Sequence, residues 1–487
     1  MKDRDHCSST VKVERRPGTS DVLDGRRKEI QRNVRRVYAL TQPCEPFESK
    51  CECDHIQFPR LPPMSINLRD CLLKALSTHP GTREFHVHVL VSSPRKNNSL
   101  YPFAKPRPRV NLQDILILLS EQSNPEASRV IVTAIEANVY TIPNTSCAVL
   151  YVSKVDSTGQ AADPSPTATL VRGLLKYYAN PVTRPVQAEH LWIQLFARAQ
   201  SQYLFPNSAE WEGKKWLSDI KLCAWWKRLL TRVVAELGTE GKTMKMFYLL
   251  PGYNDVEAEN ALRIASLSSS GPLTVPEMEW VYGHPYSQSD LPMPCAHEKT
   301  KNLGHYIPYF DDDPKSRFLD EIAFITEGGE SPRRKRPRTM EGKEKEKEKE
   351  KEKEEKEVKD ERPQGEMGKV TVDEFWERMS FRQECVAGAV TGFFTVVVSG
   401  AGVGGEVRGQ VSSQVIKRIM TSLLTGVEFS TKERSVKATD ALESAIKGLC
   451  ELDYSDIYGR VETRNAILTV KSSVVAVREL NVRRRKR

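Results

Sequence analysis

Apolar residues recur along this chain at two periods, and the alternation between them sets the expected elements. The first convincing run begins at Met64: in SINLRDCLLKAL, Leu68, Leu72, Leu73 and Leu76 fall at helical spacing. Strand-like runs follow at residues 84–92 (EFHVHVLVS), then at RVIVTAIEANVYTI and CAVLYVSKVD. The segment TATLVRGLLKYY, near 167–178, returns to the helical period. A stronger helix is expected over about 218–237: Leu222, Trp226, Leu229, Val233 and Leu237 form one stripe, and Ser218 or Asp219 can cap its start. KMFYLLPG reads as β-rich and EAENALRIAS as a helix, with further helices near 371–385, 409–424 and 437–448. Strands and helices interleaved in this way predict an α/β fold, a single large domain built on a central mixed β-sheet wrapped by helices.

Three stretches lack any such pattern. Residues 1–63 carry paired arginines and few spaced apolar residues, and read as a disordered basic leader. Residues 331–368 begin SPRRKRPRTM and continue as a K-E alternation. That alternation places like charges at i,i+4 and opposite charges at i,i+3, so the two helix terms largely cancel. The segment is expected to be a solvated insert, dividing the domain into 64–330 and 369–475. A basic tail, 476–487, closes the chain. The internal cluster Arg333, Arg334, Lys335, Arg336 and Arg338 suits nuclear import, and the tail suits contact with an acidic partner. Residues 386–404 are charge-free and long enough for a membrane span, but rich in glycine, alanine, serine and threonine. A buried core element is the better reading.

Composition adjusts this picture only slightly. Hydrophobic residues make up 39% of the 487, the share expected of a real core diluted by polar low-complexity sequence. The formal charge of +9 favours acidic partners but is modest for a dedicated nucleic-acid binder, and no sequence-specific DNA binding is expected. The ten cysteines are scattered and the opening MKDRDHCSST is polar, so free thiols in a reducing compartment are expected. Cys44, Cys51, Cys53 and His55 lie close together but lack a second ligand pair at zinc spacing, so no metal is expected.

Neither a P-loop nor an HExxH, GxSxG or paired CxxC motif is present. Candidate chemistry rests on four segments. Residues 198–216 set Arg198, Lys214 and Lys215 around Tyr203 just before a helix, which suits a phosphorylated cofactor; on composition alone a surface loop with solvated lysines is favoured. Trp225 and Trp226 sit about 100° apart on a helix, so one ring can pack in the core while the other lines a groove, unless both are simply half-buried. YFDDDPKSRF, residues 309–318, is an acidic turn in which Pro314 restrains Asp313 to extended geometry. It is either a lysine-attracting site or an exposed acidic loop of a kind that suits a divalent ion. Asp156 ends an apolar strand, either at a site or as a turn former ahead of Thr158 and Gly159.

Taken in order, YVSKVDSTG, FARAQSQYLFPNS, the tryptophan pair, IPYFDDDPKSRF and EFWERMSFRQE resemble the fungal histone acetyltransferase family first named as regulators of Ty transposition. The resemblance covers roughly residues 64–475 and implies a fold similar to that of the CREB-binding-protein acetyltransferases. It implies acetyl-coenzyme A as cosubstrate, held by Phe196, Arg198, Tyr203, Lys214, Lys215 and Trp226. Where the family tends to have lysine-histidine, this chain has Lys214-Lys215. Asp156, Asp312, Asp313 and Trp226 match positions required for catalysis, and Lys315 a lysine that becomes acetylated. The implied substrate is histone H3 within H3–H4, at a core-domain lysine and tail lysines. The implied partners are the anti-silencing-function chaperone and a nucleosome-assembly-protein-type chaperone. The implied setting is the nucleus, in replication-coupled nucleosome assembly and DNA damage tolerance. The rival expectation is a non-catalytic chromatin scaffold that binds histones and chaperones.

Overall fold

In the computed structural model the described residues are 67–238, 241–267, 278–295, 302–325, 362–382, 385, 389–402, 404–405 and 409–466. The leader, the cysteine group at 44–55, both basic clusters and the K-E run lie outside them. Residues 362–368 of the expected insert lie inside: Met367 is buried, and the Arg362 guanidinium lies over Phe103 and Tyr309.

The strands are β1 (Gly81–Ser92), β2 (Arg95–Asn97), β3 (Val110–Gln122), β4 (Val130–Ile142), β5 (Cys147–Ser157), β6 (His190–Ala197), β7 (Thr243–Leu249), β8 (Trp280–Tyr282), β9 (Gly392–Ser399), β10 (Gln410–Val411) and β11 (Tyr458–Asn465). They join in one sheet with the order β10-β1-β3-β4-β5-β6-β9-β7-β8; β11 also pairs with β1, and β2 with β3. The β1–β10, β5–β6 and β7–β8 pairs are parallel and the others antiparallel, so the sheet is mixed. The charge-free run at 386–404 supplies β9, a central strand between β6 and β7 with Val396 and Val398 wholly buried. No helix among the described residues is long and apolar enough to cross a membrane.

Period-two alternation splits each strand between two cores. On one face Ile115, Ile117, Leu150, Ile193 and Val396 pack with α1 (Leu68–Ser77), α2 (Thr167–Ala179), α3 (Asp219–Leu237) and α4 (Asp255–Leu267). The other face has two clusters. Tyr151, Trp192 and Phe393 meet α5 (Pro314–Phe324) and α6 (Val372–Met379). Leu116, Leu118 and Ile131 meet α7 (Ser413–Thr425) and α8 (Lys432–Leu449). A short α9 (Tyr454–Ile457) leads into β11.

The structure corrects several boundaries. The helix expected at 371–385 stops at Met379; the one expected from 409 begins at Ser413, after β10; the one expected from 437 begins at Lys432. Six strands escaped the sequence reading: the long β3, β6 and β11 and the short β2, β8 and β10. The acidic turn is also a helix start: Asp313 is the N-cap of α5, with ψ 132° as Pro314 demands and Pro314 at the first helical position.

Candidate active site

Strands β5 and β6 run parallel and pair only as far as Tyr151 and Gln194. Beyond that point their carboxyl ends part, and a cavity of about 380 Å³ opens between them. Crevices at the carboxyl ends of parallel strands are the usual ligand sites of such sheets. Here the walls are β5 residues 153–157, the start of α2 (Ser165, Thr167, Ala168), the segment from Phe196 to Leu217, and Leu222, Trp225 and Trp226 of α3.

One irregularity in β5 arranges the polar side. The β4–β5 register shifts between Glu136 and Ala137, leaving Ser153 as an extra residue. Without it Asp156 would share a face with Leu150 and Val152, inside the apolar helical layer. With it Asp156 pairs with Ala134 and turns to the opposite face, where the loop after β6 returns. There the carboxylate is 6% exposed and meets five donors. Its Oδ2 accepts from the backbone N–H groups of Tyr203 (2.7 Å), Leu204 (2.8 Å) and Phe205 (3.2 Å). Its Oδ1 accepts from Ser157 N (2.8 Å) and Lys214 Nζ (3.0 Å). Lys214 also donates to Ser208 Oγ at 2.7 Å. The loop is thus fastened at both ends to a single carboxylate.

Gly159 makes the same closure possible. Its φ is +77°, and a Cβ there would lie 2.5 Å from the Lys214 Cα, a backbone atom that cannot rotate away. Asp219, in the first turn of α3, ties down the neighbouring chain by accepting from Ala199 N (2.6 Å) and Val390 N (3.1 Å). Ser218 occupies the N-cap position but forms no side-chain capping bond.

The residues singled out by sequence divide clearly. Phe196, Tyr203, Lys214, Lys215, Trp226 and Asp156 all line the cavity. Arg198 does not line it; its carbonyl accepts from the Tyr203 hydroxyl. Burial and the nearby Asp156 push the Tyr203 phenol up to about 12, so it stays protonated at neutral pH. Burial pulls Lys214 below the usual lysine value, with Asp156 opposing the shift. Asp156 and Ser208 hold its side chain inside the loop, whereas Lys215 is exposed. Asp312 sits at the rim and accepts at 3.0 Å from Lys154, a cavity residue that also donates to Glu136 at 2.8 Å.

Asp313 and Lys315 do not line the cavity. Asp313 is wholly buried; its Oδ1 accepts from Lys315 N at 2.9 Å. Lys315 Nζ lies 3.0 Å from Asp313 Oδ2 and 5.6 and 5.1 Å from the centres of the Phe310 and Phe393 rings. Among the described residues no group of three or more histidine, cysteine or acidic side chains could hold a metal.

The two tryptophans differ in burial as one of the expected arrangements has it, Trp226 in the core and Trp225 half-buried, but both line the cavity, with ring centres 4.8 Å apart and planes at 80°. Their positions differ by about 100° on the helix, but the side chains lean together edge to face. Sequence reasoning missed Lys154, Trp216 and the start of α2 as cavity residues. The α2 start is signalled only by Pro166, which stands at the N-cap and offers no capping side chain.

Residues 177–468 match the model of the histone acetyltransferase KAT11-type domain. Histone acetyltransferase rtt109 of Aspergillus flavus is 29% identical over 314 residues, 58% of this chain and 47% of that protein. Histone acetyltransferase rtt109 of Schizosaccharomyces pombe is 27% identical over 259 residues, 51% of this chain and 52% of that protein. The chain thus spans about half the length of the curated relatives it matches. The crystal structure of Rtt109 from Aspergillus fumigatus superposes with a TM-score of 0.60 at 25% identity, over 81% of this chain and 100% of that one.

Proposed function

The chain belongs to the histone acetyltransferase KAT11-type family, and from that premise we propose that it transfers acetyl from acetyl-coenzyme A to lysine ε-amines of histone H3. The observation that carries the reading is the cavity itself, an aromatic-walled slot at the parting of β5 and β6 whose loop is clamped by Asp156. Its contents suit the cosubstrate. Phe196, Tyr203, Trp225 and Trp226 offer an apolar wall for the pantetheine arm. The N-terminal end of α2 and the exposed ammonium of Lys215 offer positive potential for phosphates.

Acetyl-coenzyme A supplies an activated thioester: the lysine nitrogen bonds to its carbonyl carbon while the C–S bond breaks and the thiol leaves. The chain's residues must first provide a neutral amine. With a reference pKa near 10.4, deprotonation at pH 7 costs about 4.6 kcal/mol. A slot lined by Trp225 and Trp226 excludes water and lowers that cost by disfavouring the ammonium. Asp312, exposed at the rim, is suited to drawing the cationic side chain inward. Asp313 caps α5 and faces Lys315, so its part is to hold that element and not to take the proton, which leaves to solvent. Asp156 is a positioning residue. Lys315 is the proposed site of self-acetylation, which would neutralise an ammonium buried beside Asp313.

The finer reading is that H3 is acetylated at a core-domain lysine and at tail lysines. The reaction would run in the nucleus with the anti-silencing-function and nucleosome-assembly-protein-type chaperones, during nucleosome assembly and DNA damage tolerance. The test is calorimetric titration with acetyl-coenzyme A, followed by mass spectrometry of H3–H4 incubated with and without each chaperone. A native-state ligand at 100 times its Kd stabilises the fold by about 2.7 kcal/mol, a clear rise in Tm. Absence of both binding and histone acetylation would leave the scaffold reading standing.

A further inference from the structure

The segment between β6 and α3 shapes the cavity, yet it has almost no regular structure of its own. Its one repeating element is a single 3-10 turn at Ser208–Glu210. With no ladder and no long helix to hold it, its course must be imposed from outside. Asp156 supplies one fixing point. A second lies behind the loop, and it is apolar. Tyr203 and Lys214 line the cavity, but Leu204 and Phe205 do not. Both are wholly buried, in the cluster that α7 and α8 form against the sheet.

The turn that joins α7 to α8 closes on this pair. The buried Phe429 ring meets the Phe205 ring edge to face, with centres 4.8 Å apart and planes at 70°. The Phe429 backbone N–H donates to the Pro206 carbonyl at 2.9 Å. Beside it Asn207 Nδ2 donates to Glu428 Oε2 at 3.2 Å. Gln160, which follows Gly159, ties the same turn to the end of β5: its Nε2 donates to Ser435 Oγ at 2.6 Å and to the Phe429 carbonyl at 3.4 Å. The turn is itself fixed to the sheet through α8, where Thr439 Oγ1 accepts from the Ile131 N–H at 2.8 Å. Filling the core between two helices would need only the ring. The bonds on either side of it set the register of the loop.

Resting on the acetyl-transfer reading above, we infer that Phe429 is a positioning residue for that reaction: it holds the cosubstrate loop from behind, and the cavity forms only while Asp156 and Phe429 both hold. Phe429 does not line the cavity, nor does any residue of α7 or α8. The C-terminal helix pair therefore sets cosubstrate affinity only through Phe205 and Pro206.

The test compares Phe429→Ala with Ile446→Ala on the full chain. Ile446 is a wholly buried residue of the same cluster in the last turn of α8, so it controls for lost packing. Both should lower Tm. Only Phe429→Ala should release the loop: amide exchange at Leu204 and Phe205 in the ligand-free chain should quicken, and the Kd for coenzyme A should rise, each about ten-fold. In acetylation of H3–H4 the KM for acetyl-coenzyme A should rise in step, with most of kcat kept at saturation, because bound cosubstrate closes the loop again. Phe429→Leu should recover part of each change. If Phe429→Ala does not fold, Gln160→Ala carries the test: it removes two bonds to the turn and should raise the Kd about three-fold. Equal rises in Kd for Phe429→Ala and Ile446→Ala, or a loss of kcat with KM and exchange unchanged, would mean that Phe429 only supports the fold, and would overturn the assignment. Wild-type chain that bound no coenzyme A would defeat the acetyl-transfer reading but not the clamp, which the ligand-free exchange rates test by themselves.

Discussion

Replacing Asp156 by asparagine separates an anchoring role from a chemical one. The wild-type carboxylate accepts on both oxygens, three backbone N–H groups on one and Ser157 N with Lys214 Nζ on the other. Asparagine has one acceptor oxygen and one NH₂. If the oxygen takes the side of Tyr203, Leu204 and Phe205, the NH₂ faces an N–H and an ammonium, donor against donor. Lys214, whose side chain is 5% exposed, then keeps only Ser208 Oγ as a partner. Removing one partner of a buried ion pair costs about 3–5 kcal/mol. The loop can escape most of that by opening, which lowers the fraction of molecules with a formed cavity. Apparent affinity falls by the same fraction, so the Kd for coenzyme A should rise by up to about a hundred-fold, at 1.4 kcal/mol per decade. The central sheet is untouched, so Tm should fall by only a few degrees. Amide exchange of Tyr203, Leu204 and Phe205 should accelerate in step with the loss of affinity. Pairing Asp156→Asn with Lys214→Met removes the stranded ammonium and should recover at least about 1 kcal/mol. If Asp156→Asn keeps its coenzyme A affinity and amide protection while turnover collapses, Asp156 acts on the chemistry and the anchoring argument is wrong.

Three further outcomes follow from the same geometry. Gly159→Ala should displace the loop at Lys214 and weaken coenzyme A binding about ten-fold or more, because both φ +77° and the 2.5 Å approach forbid a Cβ; an unchanged Kd would contradict the close packing. Trp226→Ala should destabilise the fold by about 3–5 kcal/mol, since the ring belongs to the main core. The half-buried Trp225→Ala should lower kcat while leaving Tm nearly unchanged, and equal Tm losses in the two variants would contradict their different burial. Burial, then the neighbouring charges of His86 and Arg129, pulls His88 down to about 3. The unfolded chain therefore takes up this proton first, and stability present above pH 6.5 is lost at about 1.4 kcal/mol per unit as pH falls from 6.5 toward about 3. Acid denaturation followed by circular dichroism should show a shallower slope for His88→Gln, with His86 and His79, also pulled down, supplying the remainder.

How much of the fold was visible in sequence depends on how each element is buried. Helices with one apolar stripe were legible: the run through Trp226, Leu229 and Val233 in α3 marks one face because the other stays polar. Strands covered on both faces lose the alternation that identifies a strand. In β3, ILILLS is buried almost without break, its residues shared between the α1–α4 core and the α7–α8 core. Such a run has no polar side from which to read a period. The strand β11 fails for the opposite reason. YGRVETRN is largely polar and is a strand only because β1 offers it eight paired positions.

The site was legible in its residue types but not in its division of labour, and the reason is distance along the chain. Tyr203 and Lys214 stand 47 and 58 residues after Asp156, and no local pattern states that their donors converge on one carboxylate. What brings them together is a single extra residue, Ser153, whose bulge moves Asp156 across the sheet. A strand read at strict period two puts that acid among Leu150 and Val152, where burial without partners would be prohibitive. The same geometry explains why two adjacent lysines take different parts. Lys214 lies within reach of the bulged aspartate and is fixed there, whereas Lys215 stays exposed on the cavity wall. An acidic side chain can therefore stand within the cavity wall with its oxygens committed to shaping it. Ser153 is testable in turn: deleting it should return Asp156 to the helical face, release the loop and abolish coenzyme A binding, whereas Ser153→Ala, which keeps the bulge, should preserve binding.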